Sequence, residues 1–183
     1  MTEQLSPKRN PIYWIPSTWF AMGLPFVALA AASSIMYKNL GISDSQIAFW
    51  TSLIMLPWTL KPLWGPFLEM FKTKKFFVYT SQIFTGVLFG LVALSLQANA
   101  FFSISIAVLA IIAISGATHD TAADGVYLNE LTPKLQAKYV GWQGAFYNIA
   151  KVMSGGVLVY LAGELEKKMG IANAWSIVML LYG

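Results

Sequence analysis

The chain has 183 residues, 57% of them hydrophobic and only 11% charged. A water-soluble domain is roughly a quarter charged, so that class is excluded. There is no cysteine, which excludes disulfides and thiolate metal sites, and the net charge of +4 comes from scattered basic residues, not the stripe a nucleic acid requires.

The pattern reads as an all-α polytopic membrane protein, a single transmembrane unit over residues 1–183. The first span covers residues 13–37. It is longer than the apolar core of a signal peptide, so it is read as an uncleaved span behind Lys8 and Arg9. Pro16, Gly23 and Pro25 lie inside it, which membrane helices tolerate when neighbours satisfy the freed backbone groups. Ser43 and Gln46 have capping-box spacing and open a second span over 48–70. That span holds Pro57, Pro62 and Pro66, with Lys61 among them. The basic loop FKTKK, 71–75, leads to a third span over 76–96, where Gly86 and Gly90 have the spacing of close helix contact.

QANA is a tight turn into a fourth span over 101–131, too long to lie wholly in hydrocarbon. The loop TPKLQAKYVG and a fifth span over 139–163 follow, then the polar loop ELEKKMGIAN. The last stretch, 174–183, is too short to cross a bilayer. It reads as a sixth span truncated part-way, and the chain as a fragment. With the N-terminus cytoplasmic, the inner segments hold Lys8, Arg9, Lys72, Lys74, Lys75, Lys134 and Lys138, and the outer loops only Lys38, Lys167 and Lys168. The excess of inner cations supports that orientation, expected in a bacterial inner membrane.

Five ionisable residues fall inside the spans: Lys61, His119, Asp120, Asp124 and Lys151. A charge at mid-bilayer costs at least ~2.5 kcal/mol, so such groups pair or face a wet cavity. Asp120 and Asp124 are one helical turn apart and share a face with Gly116. Counting ~1.5 Å per residue from the inner ends of the spans places Asp120 and Lys151 both about 16 to 18 Å deep. Asp124 and Lys61 come out about 10 to 12 Å deep by the same rule. Depth therefore pairs Lys151 with Asp120 and Lys61 with Asp124. The bland readings stand beside these: Lys61 snorkels to the interface, Asp120 and Lys151 are purely structural, and His119 bonds a backbone carbonyl. One histidine and two carboxylates on one helix are too few for a metal site, and no cofactor is expected.

At these motifs the chain resembles a known family. LPWTLKPLWGPFLEMFKTKK, 56–75, is similar to the end of helix 2 and loop 2–3 of major facilitator transporters. Gly65, Glu69, Lys72, Lys74 and Lys75 match the outline of their cytoplasmic gate motif, with Glu69 where Asp is usual. THDTAADGVYLNEL resembles helix 4 of the muropeptide permease and acetyl-CoA transporter branch through Asp120, Asp124, Gly125 and Tyr127, with His119 where that branch has Gln. GWQGAFYNIAKVMSGG resembles its helix 5 through Gly141, Trp142, Ser154, Gly155 and Gly156.

The resemblance implies the N-terminal six-helix half of a major facilitator fold, truncated in helix 6, with the C-terminal transmembrane half missing. It implies a secondary transporter for a small-molecule solute, coupled to protons and working by alternating access. The cargo implied is a sugar–peptide from cell-wall turnover. His119, Asp120, Asp124, Lys61 and Lys151 would form the proton and substrate pathway, and Trp14, Trp19, Phe26, Trp58 and Trp142 either stack on a ring or anchor at the interface. Two rivals remain: a membrane enzyme on a lipid-linked substrate with His119 and Asp120 as acid–base partners, and a non-transporting fragment.

Overall fold

The computed structural model describes residues 10–71 and 73–183; the side chains of Trp64, Phe67, Glu69 and Phe71 also lie outside that description. Lys8 and Arg9, expected to flank the first span, fall outside it as well. The described residues are 89% helical, with no strand. Among the described residues four helices are long and apolar enough to cross a membrane: α1 (Pro11–Asn39), α3 (Lys74–Ser95), α4 (Phe101–Glu130) and α5 (Pro133–Met169). Between the first two, α2 is broken into Asp44–Ile54, Leu56–Thr59 and Lys61–Phe71. A shorter apolar helix, α6 (Ile171–Tyr182), follows α5.

The helix starts are chemical. Asn10 Oδ1 accepts from the Ile12 amide ahead of α1. Ser43 Oγ accepts from the Gln46 amide and donates to Gln46 Oε1, so the expected cap opens α2. Thr73 caps α3 through the Phe76 amide. Two expected loops are largely helical instead. α5 begins at Pro133, not near residue 139, because proline at the first helical position lacks only a donor the helix would not use. At its far end α5 runs to Met169, and only Gly170, at φ 81°, turns the chain into α6.

Pro25 does not stop α1. A π-helical turn over Ala28–Ala32 carries it on, and a second π turn in α5, Met153–Leu158, packs against the first. Ser154 Oγ crosses between them to donate to the Leu24 carbonyl, as hydroxyls do beside prolines in membrane helices.

In the bundle α3 lies along α4, α1 lies along α5 and also touches α4, and α6 closes against α3 and α5. Small residues set the closest approaches. A Cβ on Gly23 would stand 2.7 Å from Ala150 Cβ and 2.8 Å from the Tyr147 carbonyl oxygen. Gly86 likewise lets α6 onto α3, where a Cβ would meet the Gly183 carbonyl oxygen at 2.9 Å. Short polar bonds add to this: Tyr37 with Ser105 at 2.7 Å, Thr85 to Ser115 at 2.9 Å, and Tyr182 to the Ser154 carbonyl at 2.7 Å.

Two apolar clusters fill the interior. One gathers Tyr37, Phe89, Leu109 and Trp175, and the other, at the end carrying Lys75 and Lys134, gathers Ile15, Trp19, Ala123 and Tyr127. Along α4 the first ends at Ala113 and the second begins at Ala122, and the polar residues occupy the interval. Outward, α3 shows Tyr79, Ile83, Val87 and Leu94, and α2 and α5 show Phe49, Leu63, Val152 and Tyr160. A surface this apolar suits hydrocarbon.

Gly23→Ala is expected to destabilise the bundle by about 1–3 kcal/mol through overpacking of α1 on α5. Gly144→Ala, with nothing within 4 Å, is the neutral control on α5. Thermal unfolding of both variants in detergent checks this.

Candidate functional site

The breaks in α2 build the site. Pro57 and Pro62 each remove a backbone donor, and the helix is interrupted at Met55 and again at Leu60. The interruptions are bridged by tight bonds from the Trp58 amide to the Met55 carbonyl and from the Leu63 amide to the Leu60 carbonyl. Trp58 and Lys61, one on each side of the second break, reach the same atom of α4. Trp58 Nε1 and Lys61 Nζ both donate to Asp120 Oδ2, each at 2.8 Å.

Asp120 is buried and Lys61 is partly so, with side chains 8% and 28% exposed. Two donors on one carboxylate oxygen, one of them charged, offset the penalty of removing that charge from water. The other oxygen, Oδ1, faces His119 Nδ1 at 4.0 Å, beyond hydrogen-bond range. His119 is buried, and among the described residues it makes no bond to a backbone carbonyl and its Nε2 has no partner. Gly116 completes the arrangement. The Trp58 ring lies so close that a Cβ there would be 2.9 Å from its Cζ2.

From Trp58 an aromatic row crosses the bundle. The Phe26 ring of α1 meets Trp58 edge-on at 5.4 Å, and meets Tyr147 of α5 at 6.3 Å. Lys151 Nζ sits 5.7 Å from the centre of the Tyr147 ring. The row therefore runs from α2 through α1 to α5, with Lys61 on the Asp120 carboxylate that Trp58 also bonds at one end and Lys151 beside Tyr147 at the other.

This geometry corrects both predicted pairings. Lys61 pairs with Asp120, not with Asp124. Lys151 is exposed and forms no ion pair among the described residues; it rests on Tyr147. Counting residues gave a depth along each helix but assumed straight helices and ignored their faces. Lys61, just past the break at Leu60, meets Asp120, whereas the helix of Lys151 packs chiefly on α1, which itself touches α4. Asp124 shares the stripe but is exposed, and it has no hydrogen bond or ion pair among the described residues.

The stretch matched to a gate motif is only partly described. Gly65 lies on α2 with Thr121 of α4 3.7 Å from where its Cβ would be. The Glu69 side chain and all of Lys72 lie outside the described residues. The Lys74 side chain lies over Gly125, which has no Cβ to obstruct it. Lys75 Nζ pairs with Glu130 Oε1 at 2.8 Å. Glu130 and the structural role of Trp58 escaped sequence reading. The available signal for Glu130 was its place at the end of a helix antiparallel to the one Lys75 opens. For Trp58 it was the three-residue spacing to Lys61 around a proline break. Among the described residues no cluster of three or more His, Asp or Glu side chains could hold a metal.

A sequence model of the BT1 family matches residues 21–181. No curated protein and no solved structure matches the chain. The family is one of major-facilitator-type permeases, and the match gives no support to the muropeptide or acetyl-CoA branch.

Lys61→Met leaves Asp120 buried without its cation and is expected to destabilise by about 3 kcal/mol. Adding Asp120→Asn removes the stranded charge and restores part of the loss. A double-mutant cycle on thermal unfolding measures the coupling. Trp58→Phe, which deletes only the neutral donor, is expected to destabilise by about 1.5–3 kcal/mol in the same assay.

Proposed function

The chain belongs to the BT1 family of major-facilitator-type permeases, and on that premise we propose that it contributes one half of a proton-coupled secondary transporter in which Asp120 carries the proton. The observation that supports this reading is the buried Asp120 carboxylate, held through one oxygen by Lys61 and Trp58 of a broken helix. Protonation removes the negative charge, which weakens the bond from Lys61 most, because that one is an ion pair, and leaves Oδ2 as a neutral acceptor for Trp58. The tie between Lys61 and α4 is then loosened next to the interruption of α2 at Leu60. That gives one protonation event a mechanical consequence, as alternating access requires.

The released Lys61, with Lys151 at the far end of the aromatic row, favours a solute carrying an anionic group. Phe26, Trp58 and Tyr147 favour a flat or sugar-like ring. A sugar–peptide, the cargo suggested by the α4 and α5 motifs, has both features. In this reading the end of the bundle with Lys74, Lys75 and Lys134 is cytoplasmic. The apolar faces of α2 and α5 meet a second set of transmembrane helices, so that the row of aromatic residues lines the path between the halves.

The test uses the intact protein in proteoliposomes. A panel of labelled anionic sugars and sugar–peptides is screened under an imposed pH gradient. For the solute that accumulates, Asp120→Asn is expected to abolish gradient-driven accumulation while solute counterflow persists. Asp124→Asn tests whether the exposed carboxylate shares the role. Undiminished gradient-driven uptake in the Asp120→Asn, Asp124→Asn double variant would refute proton carriage by this pair.

A further inference from the structure

Asp120 has two sides. Oδ2 faces α2 and is covered by Lys61 and Trp58, whereas Oδ1 points towards His119 and away from them. Beside His119 and Asp120 lies a cavity of about 320 Å³ bordered by α1, α3, α4 and α6, and lined by Ser17, Gln82, Thr85, His119, Asp120 and Tyr182 among others. A further cavity of about 500 Å³ opens at the basic end, bordered by Trp14, Lys75 and Glu130. Ser17 and Gln82 line both, so the two spaces meet at these side chains.

The boundary is polar. The Gln82 amide, which can make several hydrogen bonds, has no partner among the described residues, and the Ser17 hydroxyl is bonded only to the Trp14 carbonyl. Both cavities have room for several waters beside polar partners. We propose that they form a water-filled proton route running inside this helical bundle from the Lys75–Glu130 end to Asp120, with His119 as its last relay. It is separate from the α2 face, where a solute would bind. This inference rests on the proton-coupled reading above and supplies the path that reading requires.

His119 suits the relay because nothing holds its ring. Nε2 is covered and unpartnered, and Nδ1 is 4.0 Å from Oδ1. The route is therefore shut at His119 in this structure, and a rotation of the ring both exposes Nε2 and closes the gap to Asp120. The transfer then balances. Water delivers a proton to the Nε2 lone pair and the Nδ1 proton passes to Oδ1. The imidazole stays neutral in its other tautomer, and the carboxylate becomes a carboxylic acid. The titratable groups around the ring are few. Asp120 and, one turn on, Asp124 lie on α4, Lys61 of α2 acts across Asp120, and Tyr182 of α6 borders the cavity. From α1 and α3 only neutral side chains line this cavity.

The chain contains a single histidine, so ¹⁵N-histidine labelling reports on His119 alone. The protein is purified without a histidine tag and placed in lipid nanodiscs, and exchange of the imidazole proton with water is measured by NMR. Ser17→Val and Gln82→Leu are each expected to slow the exchange by an order of magnitude. Gln82→Glu, which keeps the junction polar, is expected to preserve it, and this separates a blocked route from a misfolded variant. Unchanged exchange in both blocking variants overturns the route. If Asp120→Asn still abolishes gradient-driven uptake in that case, the coupling reading survives without it. Slowed exchange with undiminished uptake in Asp120→Asn overturns the coupling reading, and with it the role of the route.

Discussion

A carboxylate that must stay in a medium unable to solvate it constrains everything around Asp120. Its charge is accommodated by one cation and one indole, both from α2 and both on Oδ2. Trp58 and Lys61 are three residues apart, a spacing that puts two side chains on one face of a helix, and they flank the interruption of α2 at Leu60. Gly116 belongs to the same arrangement, because the Trp58 ring occupies the space a larger residue would fill.

The remaining packing follows from the surroundings of a membrane helix. Hydrocarbon offers no hydrophobic drive between helices, so contact depends on close approach and on polar bonds with no competing water. Gly23 at the α1–α5 crossing and Gly86 beneath α6 supply the first. The Tyr37–Ser105, Thr85–Ser115 and Ser154–Leu24 bonds supply the second. Glu166 shows the same economy at the end opposite Lys75, where one carboxylate oxygen accepts from both Asn39 and Trp175 and joins α1, α5 and α6.

Packing of this kind leaves two unlike sides to the polar centre. On one, the aromatic row from Trp58 to Tyr147 with lysines at its ends offers surface to a solute. On the other, a separate cavity of about 320 Å³ borders His119 and Asp120 and has room for several waters. Asp120 takes part in both, with Oδ2 bonded to Trp58 and Lys61 and the residue itself lining the cavity beside His119. A permease that exchanges the occupancy of one side for protonation from the other needs such a residue, which is why the proposed mechanism is centred there and not on the exposed Asp124.

The sequence by itself determined a great deal. Low charge and long apolar runs specify a helical membrane protein, since only a fully hydrogen-bonded backbone survives in hydrocarbon. Capping at Ser43, close contact at Gly86, and the presence of Lys61, His119, Asp120, Asp124 and Lys151 within the spans were all legible, because each depends on local pattern. Which lysine meets which aspartate was not. Depth is one coordinate, and sequence counting supplies it; contact also needs the face each helix presents and the helix that stands between. The packing of the helices decided those: α2 lies on α4, so Lys61 meets Asp120, and α5 lies on α1, so Lys151 rests against Tyr147.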